Sequence, residues 1–222
     1  MSRADDIRAN VAALEMRIAA ACARAGRARE DVRLIAVSKT FPASDVDHAI
    51  AAGMTDVGEN KVQEARDKKP SVTASARWHL IGHLQSNKSK DAVRIFDVIQ
   101  TVDSVELAEK IARAAESAGK RQDVLLQVNI GREMQKSGAA LEVVADLVRR
   151  IGAISAVRLQ GLMAIPPAGE AEEMRPYFRE LRAMRDDLGL AELSMGMTDD
   201  FEVAIEEGAT IIRVGRAIFG SR

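Results

Sequence analysis

Short apolar runs alternate with longer segments of helical periodicity along most of the chain. Runs of this kind, three to five residues long, are typical of strands that are buried on both faces. Eight of them lie at residues 34–37, 56–58, 78–81, 98–101, 124–128, 159–163, 193–195 and 211–214. The segments with a helical pattern lie near residues 43–52, 60–68, 87–94, 104–118, 139–151, 171–188 and 200–207. Strict alternation of eight strands with helices predicts an α/β protein, a (β/α)8 TIM barrel.

An additional helix is predicted before the first strand. Within residues 3–25, Ile7, Val11, Leu14 and Ile18 are spaced three or four positions apart, and Gly26 is a suitable C-terminal cap. We expect residues 1–26 to pack on the barrel and residues 1–222 to form a single domain, since no low-complexity linker interrupts them. A doubly wound open sheet is the alternative, but no glycine-rich dinucleotide motif follows the first strand.

Composition narrows the class of protein. Lys and Arg total 32 and Asp and Glu total 33, so the net charge of −1 gives no reason to expect nucleic acid or an anionic membrane as partner. The single cysteine, Cys22, excludes an internal disulfide and favours a reduced, cytoplasmic setting. Neither a secretory signal nor an apolar stretch of about 18 residues is present in the sequence. We therefore expect a soluble protein.

Polar residues follow most of the predicted strands, and the first of them is a lysine. Lys39 stands directly after the run that ends in Ala-Val-Ser. In a barrel, the carboxyl ends of all strands meet at one mouth, where active sites lie. A partly desolvated lysine there is a candidate for Schiff-base formation. A solvated lysine at a strand end is the alternative interpretation.

The turns after the last two strands predict a phosphate site. Gly196-Met-Thr198-Asp-Asp leads from a strand into a helix whose first turn would carry the two acids, and Gly215 opens the turn after the last strand. Backbone N–H groups at helix starts bind phosphate, and barrels usually place it at these two loops. Ordinary helix capping by Thr198 is the alternative. A capping box is also predicted at residues 103–106.

Six motifs, taken in order, resemble the pyridoxal phosphate homeostasis protein family, which is related in fold to the barrel domain of alanine racemases. They are Ala-Val-Ser-Lys39-Thr, Gly58-Glu-Asn60-Lys-Val-Gln-Glu64, Trp78-His-Leu-Ile-Gly82-His-Leu-Gln-Ser-Asn87-Lys88, Gly161-Leu-Met-Ala-Ile165, Ser194-Met-Gly-Met-Thr198-Asp-Asp-Phe and Arg213-Val-Gly215-Arg-Ala-Ile-Phe-Gly220. The resemblance spans roughly residues 30 to 220. It implies pyridoxal 5′-phosphate (PLP) as cofactor, bound as an internal aldimine on Lys39.

The resemblance also implies the residues around the cofactor. Asn60 and Met163 would line the ring, and Arg213 would face the pyridine nitrogen. A guanidinium has no acceptor and stays protonated, so it cannot protonate that nitrogen, and transamination is disfavoured.

The phosphate contacts follow from the same resemblance. Ser194, Thr198 and the backbone at Gly215 and Arg216 would hold the phosphate. Thr198 stands where the family usually has serine, and Lys61 stands where an aromatic residue is common.

The functional hypotheses differ in whether the protein turns over a substrate. A two-base racemase needs a second acid/base, which alanine racemases take from a tyrosine of the partner's C-terminal domain. The single tyrosine, Tyr177, lies in a helical pattern where packing is expected, and we expect no such domain after the barrel. We therefore favour a non-enzymatic PLP-binding protein of cofactor homeostasis, a monomer or weak dimer, with PLP-dependent apo-enzymes as recipients. The alternatives are a PLP-dependent amino-acid racemase or related fold-type III enzyme, and a barrel that binds another phosphorylated ligand.

Two further features carry weaker expectations. His79 and His83 lie on either side of a strand end and a glycine turn, so no metal site is predicted there. Lys136 follows the fifth strand near the same mouth and is a candidate second amine, although an exposed loop lysine is the simpler interpretation.

Overall fold

The computed structural model describes residues 2–133 and 135–220, which form a closed parallel barrel surrounded by helices. The strands are β1 (Arg33–Val37), β2 (Asp56–Glu59), β3 (Arg77–Leu80), β4 (Val98–Val102), β5 (Gln122–Val128), β6 (Val157–Ala164), β7 (Glu192–Ser194) and β8 (Ile211–Val214). The helices are α1 (Arg3–Arg24), α2 (Ala43–Ala51), α3 (Val62–Lys68), α4 (Ser89–Ile95), α5 (Val105–Ser117), α6 (Val144–Gly152), α7 (Ala171–Asp187), α8 (Phe201–Glu206) and α9 (Arg216–Phe219). The predicted TIM barrel with an N-terminal helix is confirmed.

Pairing between the first and last strands closes the barrel. β1 pairs in parallel with both β2 and β8, so that Ile35 lies opposite Asp56 on one side and Arg213 on the other. Closure leaves no unpaired strand edge, which an open doubly wound sheet would have. The open-sheet alternative is therefore wrong.

Two apolar clusters form the core. The larger one fills the space between the strands and the surrounding helices. The smaller one lies inside the barrel and consists of Ile35, Leu125, Met163 and Ile211. Side chains of successive strand residues point to opposite faces, so β1, β5, β6 and β8 contribute to both clusters.

Helix α1 packs against α2, α8 and α9. Its buried stripe includes Ile7, Val11, Leu14 and Ile18, as the periodicity predicts. Ser2 and Asp5 form a capping box at its start, and Gly26 follows its end at a φ of +65°. None of the helices in the described part of the chain is both long and apolar enough to cross a membrane.

Helix starts differ from the predictions at two places. The N-cap of α5 is Ser104, whose Oγ accepts a hydrogen bond from the Leu107 N–H at 3.3 Å, and the capping box predicted at residues 103–106 is wrong. Helix α8 begins only at Phe201, so Asp199 and Asp200 precede its first turn. In both places the sequence offers several polar residues in succession, and only the backbone path decides which of them caps.

Candidate functional site

A cavity of about 440 Å³ opens at the carboxyl ends of the strands. Its walls are largely apolar, with a few polar groups among them, which is the usual character of a small-molecule site. The apolar lining residues are Val37, Phe41, Ile81, Ile165 and Met197. The polar and glycine lining residues are Lys39, Asn60, Thr198, Asp199, Arg213, Gly215, Arg216 and Gly220.

Most of the predicted site residues line this one cavity. They are Lys39, Asn60, Thr198, Arg213, Gly215 and Arg216. The other two, Met163 and Ser194, are fully buried and are not lining residues. Met163 belongs to the apolar cluster inside the barrel, and Ser194 ends β7. Contacts of these two residues with a ring or a phosphate stay predictions, and the structure places both of them outside the cavity lining.

Lys39 lies in the tight turn that follows β1. The Phe41 N–H donates to the Ser38 carbonyl at 3.0 Å, and the Ser38 N–H donates to the Gly58 carbonyl at 3.0 Å. Within this turn, Thr40 has a φ of +70°, a conformation that a β-branched residue rarely adopts. The lysine is therefore presented by a constrained backbone segment, not by a loose loop.

Glu59, Glu64 and Lys68 form an ionic cluster that is hydrogen-bonded to this turn. The Lys68 ammonium donates to Glu59 Oε1 at 2.6 Å, to the Ser38 carbonyl at 2.7 Å and to Glu64 Oε1 at 3.1 Å. The Ser38 hydroxyl donates to Glu59 Oε1 at 2.6 Å, and the Thr40 N–H donates to Glu64. Burial raises the pKa of the Glu59 carboxyl, although Lys68 and Ser38 oppose that effect. The cluster thus fixes both neighbours of Lys39.

Arg213 brings a buried positive charge to the cavity. Its Nη1 donates to Ser194 Oγ at 2.6 Å and its Nη2 donates to the Ala164 carbonyl at 2.9 Å. Burial lowers the pKa of its guanidinium to about 10, so it is protonated at neutral pH. Within the described residues, no carboxylate oxygen lies within 4.0 Å of its nitrogens. Asp200 attracts this guanidinium but forms no ion-pair contact with it among the described residues. A buried cation that is stabilised only at a distance creates a demand for an acceptor or an anion at the cavity surface.

The loops after β7 and β8 form the wall where a phosphate was predicted. Thr198 lies before Asp200, which occupies the N-cap position of α8, so the alternative that Thr198 caps this helix is wrong. Gly196 adopts a φ of +90°, and a Cβ there would lie 2.6 Å from the Ala204 Cβ, so the turn requires glycine. Across the cavity rim, the exposed Arg216 forms an ion pair with Asp199.

Other residues considered from the sequence lie elsewhere. Lys136 donates to the Pro166 carbonyl at 3.1 Å and pairs with Glu133 at 2.6 Å, and it is not a lining residue of the cavity. Tyr177 packs against the outer core. His79 is fully buried, whereas His83 is exposed, so the two histidines occupy different environments.

Sequence reasoning assigned no supporting role to the buried polar residues that surround the Lys39 turn and lie inside the barrel. Glu59, Glu64 and Lys68 surround the Lys39 turn, while Gln100 and His79 lie inside the barrel. A detectable signal existed for Gln100 and His79, because each interrupts an otherwise apolar strand. Lys68 gave no such signal, since a lysine in the last turn of a helix is common at a protein surface.

The comparisons with known proteins agree with this geometry. The sequence profile of the family described as "Alanine racemase, N-terminal domain" matches residues 9–222. A protein of Aquifex aeolicus named pyridoxal phosphate homeostasis protein is 42% identical over 214 residues, which cover 93% of this chain and 94% of that protein. The protein of the same name from Escherichia coli is 39% identical over 231 residues, covering 98% and 97%.

Solved structures give the same result. The structure of PipY from Synechococcus elongatus, with PLP bound, superposes with a TM-score of 0.85 at 36% identity, covering 96% of this chain and 100% of that one. An alanine racemase of Clostridium difficile has a TM-score of 0.74 at 16% identity, covering 98% of this chain and 57% of that one, and is similar in fold alone.

The parallel barrel and the cavity with a lysine at its mouth place this protein in the class that has the fold of the alanine racemase N-terminal domain. The family profile covers nearly the whole chain, and the named relatives match it almost end to end. The chain belongs to the pyridoxal phosphate homeostasis protein family. The resemblance noted in the sequence is thereby confirmed.

Proposed function

We propose that this protein binds PLP as a Schiff base on Lys39 and serves cofactor homeostasis in the cytoplasm, holding and releasing PLP without turning over a substrate. The observation that carries the proposal is the presence of Lys39 and the buried Arg213 guanidinium in one cavity. The names of the relatives and the PLP bound to PipY support the choice of ligand.

The residues present suit the three functional groups of PLP. The Lys39 amine is suited to condensation with the aldehyde, which releases water and is reversible. The Arg213 guanidinium donates hydrogen bonds and would meet the pyridine nitrogen, which is an acceptor. Thr198, Gly215 and Arg216 line the cavity on the loops after β7 and β8 and would hold the phosphate. When bound, PLP supplies an electron sink to amines that it captures.

The nature of Arg213 favours storage over catalysis. An acid at this position would keep the ring nitrogen protonated and strengthen the electron sink, whereas a guanidinium leaves that nitrogen unprotonated. In addition, Tyr177, the single tyrosine of the sequence, packs against the outer core. A tyrosine is therefore not available at the cavity as a second acid/base. The rival function is an amino-acid racemase or related enzyme of the same fold.

The first experiment tests attachment. Purified protein mixed with PLP should develop a visible absorption band, and borohydride reduction should leave a stable adduct that peptide mass spectrometry locates on Lys39. Lys39→Ala should abolish both, whereas the matched control Lys136→Ala should retain them. An adduct located on Lys136 in the unaltered protein, or none at all, would contradict the proposal.

The second experiment tests turnover and release. When the PLP-loaded protein is incubated with L- and D-amino acids in deuterium oxide, the α-proton of the amino acid should exchange no faster than it does with free PLP. Loaded protein should reactivate a PLP-dependent apo-enzyme, whereas the borohydride-reduced protein should not. Exchange of the α-proton at enzymatic rates would establish the racemase alternative instead.

A further inference from the structure

Four hydrogen bonds connect Arg213 to the opposite end of the barrel through buried side chains. Arg213 Nη1 lies 2.6 Å from Ser194 Oγ, which lies 2.7 Å from Gln100 Oε1. Gln100 Nε2 lies 3.1 Å from His79 Nδ1, and His79 Nε2 lies 2.8 Å from Asp56 Oδ1. The five residues come from β8, β7, β4, β3 and β2, and each is less than 9% exposed. We call this set the buried chain.

The donor and the acceptor of each hydrogen bond in the buried chain follow from the protonation state of Asp56, the residue at the end opposite Arg213. Asp56 is anchored as a carboxylate: burial alone would raise its pKa, but hydrogen bonds from His79 and Thr55 lower it. His79 must therefore carry its proton on Nε2. Burial lowers the pKa of His79, so the ring is neutral at neutral pH and its Nδ1 is an acceptor.

The remaining bonds follow from this tautomer. An acceptor at His79 Nδ1 requires the amide N–H of Gln100, which turns the amide oxygen toward Ser194. The Ser194 hydroxyl then donates a hydrogen bond to the Gln100 amide oxygen. The lone pairs of Ser194 Oγ are left to accept the hydrogen bond from the Arg213 N–H. If the chain ran in the opposite direction, the hydroxyl proton would oppose a guanidinium that can only donate.

The charged groups near His79 maintain this state. Asp56 on β2 favours a proton on the ring, whereas Arg77 on β3 and Arg33 on β1 oppose it. Arg33 Nε lies 3.7 Å from Asp56 Oδ1, and Arg77 Nη2 pairs with Asp123 at 2.6 Å. The cations on both sides thus favour an ionised Asp56 beside a neutral His79.

Packing alone does not explain these residues. The interior of a TIM barrel is usually filled by branched apolar side chains, and such residues stabilise a core at least as well as a buried polar network does. A network in which each donor meets an acceptor does, however, hold its members in one arrangement. The only member of the buried chain that lines the cavity is Arg213.

We propose that Gln100 and His79 are positioning residues for Arg213, which orient its guanidinium through Ser194 and so determine the N–H groups that it presents to the cavity. The consequence for PLP rests on the proposed function, since it requires the ring to meet Arg213. The orientation of Arg213 itself does not depend on any ligand.

Gln100→Met tests the proposal, because it interrupts the buried chain with a side chain of similar length. Gln122→Met is the matched control: Gln122 is equally buried, but its amide donates to the Asp97 carbonyl at 2.8 Å and is not part of the chain. Arginine and histidine nitrogen NMR of the cofactor-free proteins reports hydrogen exchange at Arg213 and the tautomer of His79. Calorimetry with pyridoxine 5′-phosphate, which lacks the aldehyde and cannot react with Lys39, reports binding.

Gln100→Met removes both hydrogen bonds that Gln100 makes in the buried chain, and the one with Ser194 is the one that reaches Arg213. Loss of that bond should accelerate exchange at the Arg213 guanidinium about tenfold and lower affinity for pyridoxine 5′-phosphate about fivefold. Gln122→Met should leave both within about twofold. Unchanged exchange at Arg213 in Gln100→Met overturns the proposal. So does a neutral His79 with its proton on Nδ1 in the unaltered protein, a result that stands even if Gln100→Met does not fold. If the unaltered protein does not bind the probe, the proposed function fails while the exchange comparison still decides the positioning role.

Discussion

Lys68→Met removes the cation that neutralises two carboxylates behind the Lys39 turn. The Lys68 side chain is 8% exposed and Glu59 is fully buried, so water cannot replace the lost ammonium at Glu59. One oxygen of Glu59, Oε2, has no hydrogen-bond partner among the described residues, so the substitution leaves a buried carboxylate held only by the Ser38 hydroxyl through Oε1. We expect a large loss of stability.

The magnitude follows from the three contacts of the ammonium. Stranding a buried partner charge costs about 3–5 kcal/mol, and the lost hydrogen bond to the Ser38 carbonyl adds about 1 kcal/mol. The contact with the more exposed Glu64 adds at most about 1 kcal/mol. We expect the free energy of unfolding to fall by about 4–7 kcal/mol at pH 8 if Glu59 stays ionised.

Proton uptake by Glu59 limits this loss and makes it depend on pH. Burial already raises the pKa of Glu59, and removing Lys68 raises it further. An acid with a raised pKa binds its proton more tightly in the folded state, so its contribution is greatest at low pH and is lost as pH rises toward the folded-state pKa. The destabilisation should therefore grow with pH, by up to about 1.4 kcal/mol per unit.

Urea unfolding at pH 5.5 and pH 8 measures both effects. Lys69→Met is the matched control, since the Lys69 ammonium donates to the Ile95 carbonyl and, among the residues that the structure describes, has no carboxylate in hydrogen-bond contact. The control should lose about 1 kcal/mol at either pH. Combining Glu59→Gln with Lys68→Met should restore part of the stability lost at pH 8. A loss below about 1 kcal/mol in Lys68→Met, or an equal loss at both pH values, would refute the reasoning.

Three other outcomes follow from single residues. Gly82→Ala should lower stability by about 1–3 kcal/mol in thermal unfolding, because its Cβ would overlap the Asn60 carbonyl, whereas Gly152→Ala, with open space around it, should raise stability by up to about 1 kcal/mol. Thr40→Gly should raise the melting temperature slightly, since it removes a positive φ from a β-branched residue. The free energy of unfolding should decrease as pH falls below about 6.5, and His79→Gln should flatten that slope, because burial lowers the pKa of His79 in the folded state.

Each outcome has a clear opposite. Equal melting temperatures for the two alanine variants would show that the backbone near Asn60 moves without cost. A lower melting temperature in Thr40→Gly would mean that the Thr40 side chain stabilises the turn more than its φ strains it. A slope below pH 6.5 that persists in His79→Gln would assign it to other groups.

The fold was predictable because each level of the sequence agrees with the next. Parallel strands buried on both faces form nearly continuous apolar runs, and all eight appear in the pattern. Helix starts were less predictable, as Ser104 and Asp200 show, because neighbouring polar residues compete for the cap. Local sequence thus specifies that a helix exists better than it specifies where the helix begins.

The site was predictable to the extent that it depends on position after a strand. Lys39, Thr198 and Arg213 line one cavity because barrel closure brings the carboxyl ends of all strands together. The sequence did not predict which residues near a strand end reach the cavity. Met163 and Ser194 were expected there, but both are buried outside the cavity lining. A shift of one or two residues along a strand separates a lining residue from one inside the barrel.

The sequence by itself determined the barrel, its N-terminal helix, the lysine at the mouth and the family. These properties rest on periodicity and on motifs that are local along the chain. Only the tertiary structure decided which side chains support Lys39 and Arg213. Glu59 and Lys68 meet because α3 folds back on β2, and Asp56 connects to Arg213 through strands distant in sequence. Such contacts depend on closure of the barrel and on the orientation of each hydrogen bond, and no local pattern encodes either.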